Sequence, residues 1–343
     1  MRFLQLLLTL FASAAFIAGC NQSSPIRFEG ETQGTTYHIT VVACQPRQKF
    51  EVLQQRVEQR LAEIDRALSN YRDDSELSHF NQTGPGSWIA VGADLYAVLK
   101  ASQQISAESD GAFDITIAPL IDLWGFGRHR KEGFIPSETD IAQARTAVDY
   151  RQLEIDPLQP RVKKLNALSI DINGIAQGYS VDQLANTLNE LGCSDFLVEV
   201  GGELRLVGLN AERKPWRIGI EKPGDAVNGN GVASAAESAI IGSHIGITTA
   251  GDYHDYFEKD GVRYSHTIDP RTGKPIAHKL ASVTVVASDA TSADGWDTAL
   301  EVLGPTAGFE LAQKNNIAAF FITREGNNFS VRYTDRFKSY LGQ

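Results

Sequence analysis

Apolar positions along this chain fall into two rhythms. From Glu51 to Asn70, Leu53, Val57, Leu61, Ile64 and Leu68 recur every three or four residues with charges between them, the spacing of one helix face. A second helix is expected from about Asp94 to Glu108, and a third opens at Ser137, an N-cap three residues before Asp140, and runs through Val148. Tyr179–Leu191 repeats the helical pattern. The other rhythm is short and β-branched. Gly34–Val42, Leu153–Ile155 and Leu168–Ile172 read as strands, with Pro157 and Pro160 marking a turn between the last two. Phe196–Val200 and Leu204–Val207 flank Gly201-Gly202 as a hairpin, and Trp216–Glu221 follows. The C-terminal part predicts a strand at Ala281–Ala287, helices at Ala293–Leu303 and Thr306–Gln313, and strands at Ala318–Ile322 and Phe329–Tyr333. Strands in meanders between helices favour an α+β fold over a doubly wound parallel sheet.

The N-terminus carries a different signal. Arg2 precedes an apolar run from Phe3 to Ala18 that ends at Ala18-Gly19-Cys20. Such a run is short for a membrane span and closes on the small residues that a signal peptidase needs. Residues 1–19 are expected to be a lipoprotein leader, with Cys20 bearing the lipid as first mature residue. Residues 20–26 are then a polar tether and residues 27–343 the folded body, an exported bacterial lipoprotein on the periplasmic side of a cell membrane. Acidic residues outnumber basic ones, 42 to 32, which argues against nucleic acid as a partner and leaves the lipid on Cys20 as the membrane attachment. Cys44 and Cys193 are read as buried thiols, because their separation in sequence does not by itself demonstrate a bridge.

Several classes of chemistry are unsupported. The chain has no Lys-Ser/Thr phosphate loop, no G-x-G-x-x-G after a strand, no H-E-x-x-H and no paired C-x-x-C. His244, His254, His266 and His278 fall close together but match no metal-ligand spacing. Asp294, Asp297 and Thr298 lie three and four residues apart, so on a helix their oxygens share a face. Those oxygens suit a hard cation such as Mg²⁺, and equally suit the first turn of a helix, where acids favour the dipole. Asp171 through Gly174 to Gly178 brings a carboxylate and backbone groups to one edge, either as a ligand cradle or as a strand-to-helix turn. Asn70-Tyr71, Asp110–Thr116 and His266–Gly273 are turns or contacts to a planar ligand.

In this order, Asn70-Tyr71 with Ser75-Glu76-Leu77, Gly111–Thr116, Asp171–Gly178, Glu199–Gly202, Thr249–Tyr253, His266–Gly273 and Asp294–Thr298 resemble the ApbE-type FAD:protein FMN transferases across roughly residues 30–335. The resemblance implies a T-fold-related architecture of meandering sheets flanked by helices, with FAD in a cleft between packed halves. It also implies an enzyme that cleaves FAD, transfers FMN to a Thr or Ser hydroxyl of an acceptor protein and releases AMP. Mg²⁺, or Mn²⁺, would be held by Asp294, Thr298 and the Gly174 carbonyl, with Asp297 joining them. His266 would be the general base, since an imidazole titrates near operating pH. FAD would contact Tyr71, Ala112, Phe113, Asp114, Asp171, Gln177 and the region of Ile276; many relatives have Lys where this chain has Gln177. The implied acceptors are flavoproteins such as subunits of membrane redox complexes. The alternatives are an FAD pyrophosphatase giving FMN and AMP, and a flavin-binding lipoprotein without turnover.

Overall fold

The computed structural model describes residues 24–128, 133–221, 238–251, 256–259, 262–326 and 328–342. The leader, Cys20, His254 and the Asp252-Tyr253 end of the fifth motif lie outside these residues. An eight-stranded sheet organises the chain. Its strands are β1 (Ile26–Thr32), β2 (Thr35–Cys44), β3 (Cys193–Val200), β4 (Glu203–Val207), β5 (Ile245–Gly251), β6 (Leu280–Ala287), β7 (Ala318–Glu325) and β8 (Asn328–Tyr333). They lie side by side in chain order, and every neighbouring pair is antiparallel. Four helices cover one face: α1 (Phe50–Leu68), α2 (Ala93–Glu108), α3 (Asn173–Glu190) and α4 (Ala290–Lys314).

The period of two makes this sheet a partition between cores. Phe321 and Ala319 of β7 pack with Val283 and Val285 against the helices, while the intervening Ala318, Phe320 and Ile322 enter a second core. That second core is roofed by the Trp216–Ile220 and Ser238–Gly242 hairpin and by Phe337 of the C-terminal 3₁₀ segment. β6 is buried on both faces and is therefore mostly apolar, with Ser282 and Thr284 as its buried polar positions. A third cluster joins Phe28, Ile39 and Val198 to α1 and α3. No helix among the described residues is long and apolar enough to cross a membrane.

Most expected elements are present. The five apolar positions of α1 are its buried residues, and Ser137 caps Glu138–Arg145 through a reciprocal capping box with Asp140. The paired helices expected at the C-terminus form one element broken at Gly304, whose φ of 76° and following Pro305 interrupt the helical ladder. Three readings change. β1 went unpredicted, and α3 starts at Asn173, so Gly174 and Gly178 sit within it. Leu168–Ile172 is not a strand. Its apolar residues are buried, but its backbone pairs elsewhere: Ile170 bonds both ways with the Asn81 amide group, and the Asp171 amide donates to Ile115 O. The strand stands at Arg161–Lys164 instead, between Trp88–Ala90 and Leu153–Ile155.

The cysteines are also corrected. Cys44 and Cys193 occupy opposed positions of β2 and β3 and form a disulfide across 149 residues of sequence. Strand pairing supplies the proximity that sequence distance concealed. Closing so long a loop restricts the unfolded chain, so replacing both cysteines with serine is expected to lower stability by roughly 2–5 kcal/mol. Chemical denaturation measures this, and an unchanged midpoint would contradict it.

Candidate functional site

A cavity of about 590 Å³ opens where β4 and β5 meet α3, α4 and the loops around Phe113 and His266. This volume suits a cofactor-sized ligand. Its lining includes every candidate named from sequence inside the folded body except Ile276. Ile276 stands just outside, its amide donating to Thr267 O.

The helix-start reading of Asp294 and Asp297 is excluded by the true cap. Asp289 is the N-cap of α4 and accepts from the Ser292 amide, while Asp182 of α3 accepts from the Ala290 and Thr291 amides. The first-turn donors are therefore satisfied without Asp294 or Asp297. Both carboxylates are buried and line the cavity. Asp294 Oδ2 accepts from the Gly178 amide at 2.7 Å. A Cβ on residue 178 would lie 2.3 Å from Ala290 O and 2.6 Å from Asp294 Cβ, so only glycine lets α3 and α4 approach this closely.

Gly174 departs from helical geometry, with ψ of 19°, and its carbonyl meets α4. Thr298 Oγ1 lies 3.3 Å from Gly174 O and 3.4 Å from Asp297 Oδ1. A six-coordinate cation with bonds of about 2.1 Å sets neighbouring ligand oxygens roughly 3 Å apart. Both separations are compatible with such an ion, and a carbonyl, a hydroxyl and a carboxylate are hard donors. Among the described residues, no three His, Cys, Asp or Glu side chains converge as a metal site, so a cation here would need neutral oxygens as well.

Burial and mutual repulsion hold the carboxyls of α4 above their ordinary range. Burial pushes Asp294 up to about 7, with Asp182 adding repulsion. Burial also raises Asp297 well above the carboxylate range, reinforced by Asp294, Glu203 and Glu301. Sequence reasoning missed the last two. Glu301 lies seven residues after Asp294 and four after Asp297, so extending the helical stripe would have found it. It joins the acid-bearing helix to the histidine loop, because Thr267 Oγ1 donates to Glu301 Oε2 at 3.1 Å. Glu203 directly follows the Glu199–Gly202 segment, one residue beyond the stretch that carries the resemblance.

The flavin-contact candidates divide. Tyr71 is 58% exposed at the cavity rim, and its hydroxyl lies 3.4 Å from Asn173 Nδ2. Asp171 accepts from the Asn173 amide, and burial pushes its carboxyl up to about 6. Gln177 packs against the Gly201 turn. Asp114 has a structural duty: Oδ1 accepts from the Thr116 amide and hydroxyl, and Oδ2 from the Tyr150 amide. Its bonds hold the Ala112-Phe113 loop at the cavity.

A family model described as "ApbE family" matches residues 33–321. The chain belongs to the ApbE family. The FAD:protein FMN transferase of Escherichia coli K12 is 37% identical, covering 97% of this chain and 96% of that protein. The like-named protein of Vibrio cholerae is 36% identical over 98% of this chain and 99% of that one. Among solved structures, the apo form of the Pseudomonas stutzeri flavinyl transferase ApbE superposes with a TM-score of 0.85 at 42% identity, covering 93% of this chain and 98% of that one. The α+β architecture expected from the meandering strands is thus the ApbE fold.

Proposed function

We propose that this protein is an FAD:protein FMN transferase that modifies a Thr or Ser hydroxyl of an acceptor protein. Family membership across residues 33–321 carries the transferase reading. Thr298 Oγ1 within 3.4 Å of both Gly174 O and Asp297 Oδ1, beside the buried Asp294, supports a divalent cation, Mg²⁺ or Mn²⁺, at the pyrophosphate. When bound, such an ion neutralises phosphate charge and so favours displacement at phosphorus.

The chain's own residues supply binding and proton transfer. Tyr71, Phe113 and Gln177 line the space assigned to the dinucleotide. His266 lies on the same cavity, on a loop tied down through Thr267. It takes the proton of the acceptor hydroxyl as that oxygen bonds to the FMN phosphorus. The P–O bond between the two phosphates breaks, and the bridging oxygen leaves with AMP. Export as a lipoprotein anchored at Cys20 belongs to this proposal. Its support is the leader pattern together with the Cys44–Cys193 disulfide, a bond that persists in oxidising compartments. The acceptors are then exported parts of membrane redox proteins.

The decisive test incubates the protein with FAD, Mg²⁺ and a threonine-bearing acceptor domain from such a protein. The expected result is one FMN-sized mass increment on the acceptor with stoichiometric AMP. FMN and AMP released without acceptor modification would establish the pyrophosphatase instead, and FAD recovered intact would leave only a flavin binder.

A further inference from the structure

Glu203 opens β4 at the end of the Gly201-Gly202 turn, across the cavity from the acidic stripe of α4. It is only 8% exposed, and among the described residues its Oε2 has no hydrogen-bond partner. Native proteins seldom keep a buried carboxylate oxygen in that condition, because the desolvation cost goes uncompensated unless water or an ion completes the site. The charges acting on Glu203 are those of Asp294 and Glu199, and Asp297 is in turn repelled by Glu203. Among the described residues, no lysine or arginine is one of them. Arg205, two residues along β4, is directed to Asp182 instead, at 3.3 Å.

We propose that Glu203 is an additional anionic determinant of the cation site, acting from the strand side on the ion's water shell while Asp297, Thr298 and Gly174 O bind it from the helix side. This rests on the cation reading above. A direct bond is not required. Mg²⁺ keeps several of its waters, and a carboxylate accepting from them orients the hydrated ion. Outer-shell partners of this kind typically change metal affinity by 10- to 100-fold.

Mn²⁺ is the probe, with free and bound ion quantified by electron paramagnetic resonance on the full-length, flavin-free protein. Glu203→Gln keeps the shape and removes the charge. Its Mn²⁺ Kd is expected to rise 10- to 100-fold, with a metal-free Tm at pH 8 equal to or above wild type, since a like charge has left the cluster. Glu203→Asp is expected to recover part of the affinity. A Glu203→Gln Kd within twofold of wild type overturns the proposal. Weakened binding accompanied by a metal-free Tm several degrees lower overturns it too, because that pattern marks packing. Wild type that holds no Mn²⁺ would defeat the underlying cation reading, a result distinct from either.

Discussion

Replacing His266 with alanine is expected to slow FMN transfer by roughly 10²–10⁴-fold while FAD affinity stays within about threefold of wild type. The separation follows from placement. His266 lines the cavity on the short segment after the Val262–Ser265 strand, whereas the dinucleotide-facing candidates come from other elements, around Phe113 and at the start of α3. The next residue along, Thr267, is fixed twice, by its amide on Ser265 Oγ and its hydroxyl on Glu301 Oε2. Removing the imidazole therefore removes a proton acceptor from a loop whose anchors remain. Single-turnover transfer and fluorescence titration with FAD check the two halves separately. Transfer within tenfold of wild type would end the base assignment, and a parallel collapse of FAD affinity would show that His266 holds the substrate.

The legible parts of this molecule were those with a strong local period. Leu53 to Leu68 encoded both the helix and its buried face, and the hairpin around Gly201-Gly202 lay where alternation and glycine placed it. Leu168–Ile172 shows the limit: its alternating apolar residues are buried, but a single distant side chain, Asn81, took backbone bonds that a strand would have used. Asp294 and Asp297 show another. Spacing could not separate cap from ligand set, because the answer lay in Asp182, over a hundred residues earlier, which occupies the first-turn amides. Only the ordered resemblance of seven segments brought the site within reach. Glu203 and Glu301 stood outside that pattern and became visible when the sheet and α4 closed on one cavity. Asp114 lines the cavity, yet its carboxylate is engaged in holding its own loop.

Without divalent cations, the protein is expected to lose thermal stability as pH rises from 5 to 8, and Asp294→Asn is expected to remove much of that loss. A carboxyl whose folded-state pKa is raised stays protonated in the fold where the unfolded chain has already released its proton. Stability from such a group is greatest below the ordinary carboxylate pKa, declines as pH climbs, and is at its lowest above the folded value. For Asp294 that window runs from 3.8 to about 7, and burial moves Asp297 and Glu203 the same way. At ~1.4 kcal/mol per unit, the effect is on the order of several kcal/mol. The wild-type Tm should then fall by roughly 5–10 °C across the interval. Burial also raises Asp182 and Asp114, so the assignment rests on the difference between wild type and variant, not on the wild-type slope alone. Scanning calorimetry in a chelator at several pH values measures it. A metal-free Tm that holds or rises over this range, or equal slopes for wild type and Asp294→Asn, would refute the account. Added Mg²⁺ should restore the wild-type Tm most at pH 8, where the carboxylates are ionised, and should do least for the variant. On the cation reading proposed above, the acids that would meet the ion are the same groups that lower stability above neutral pH without it.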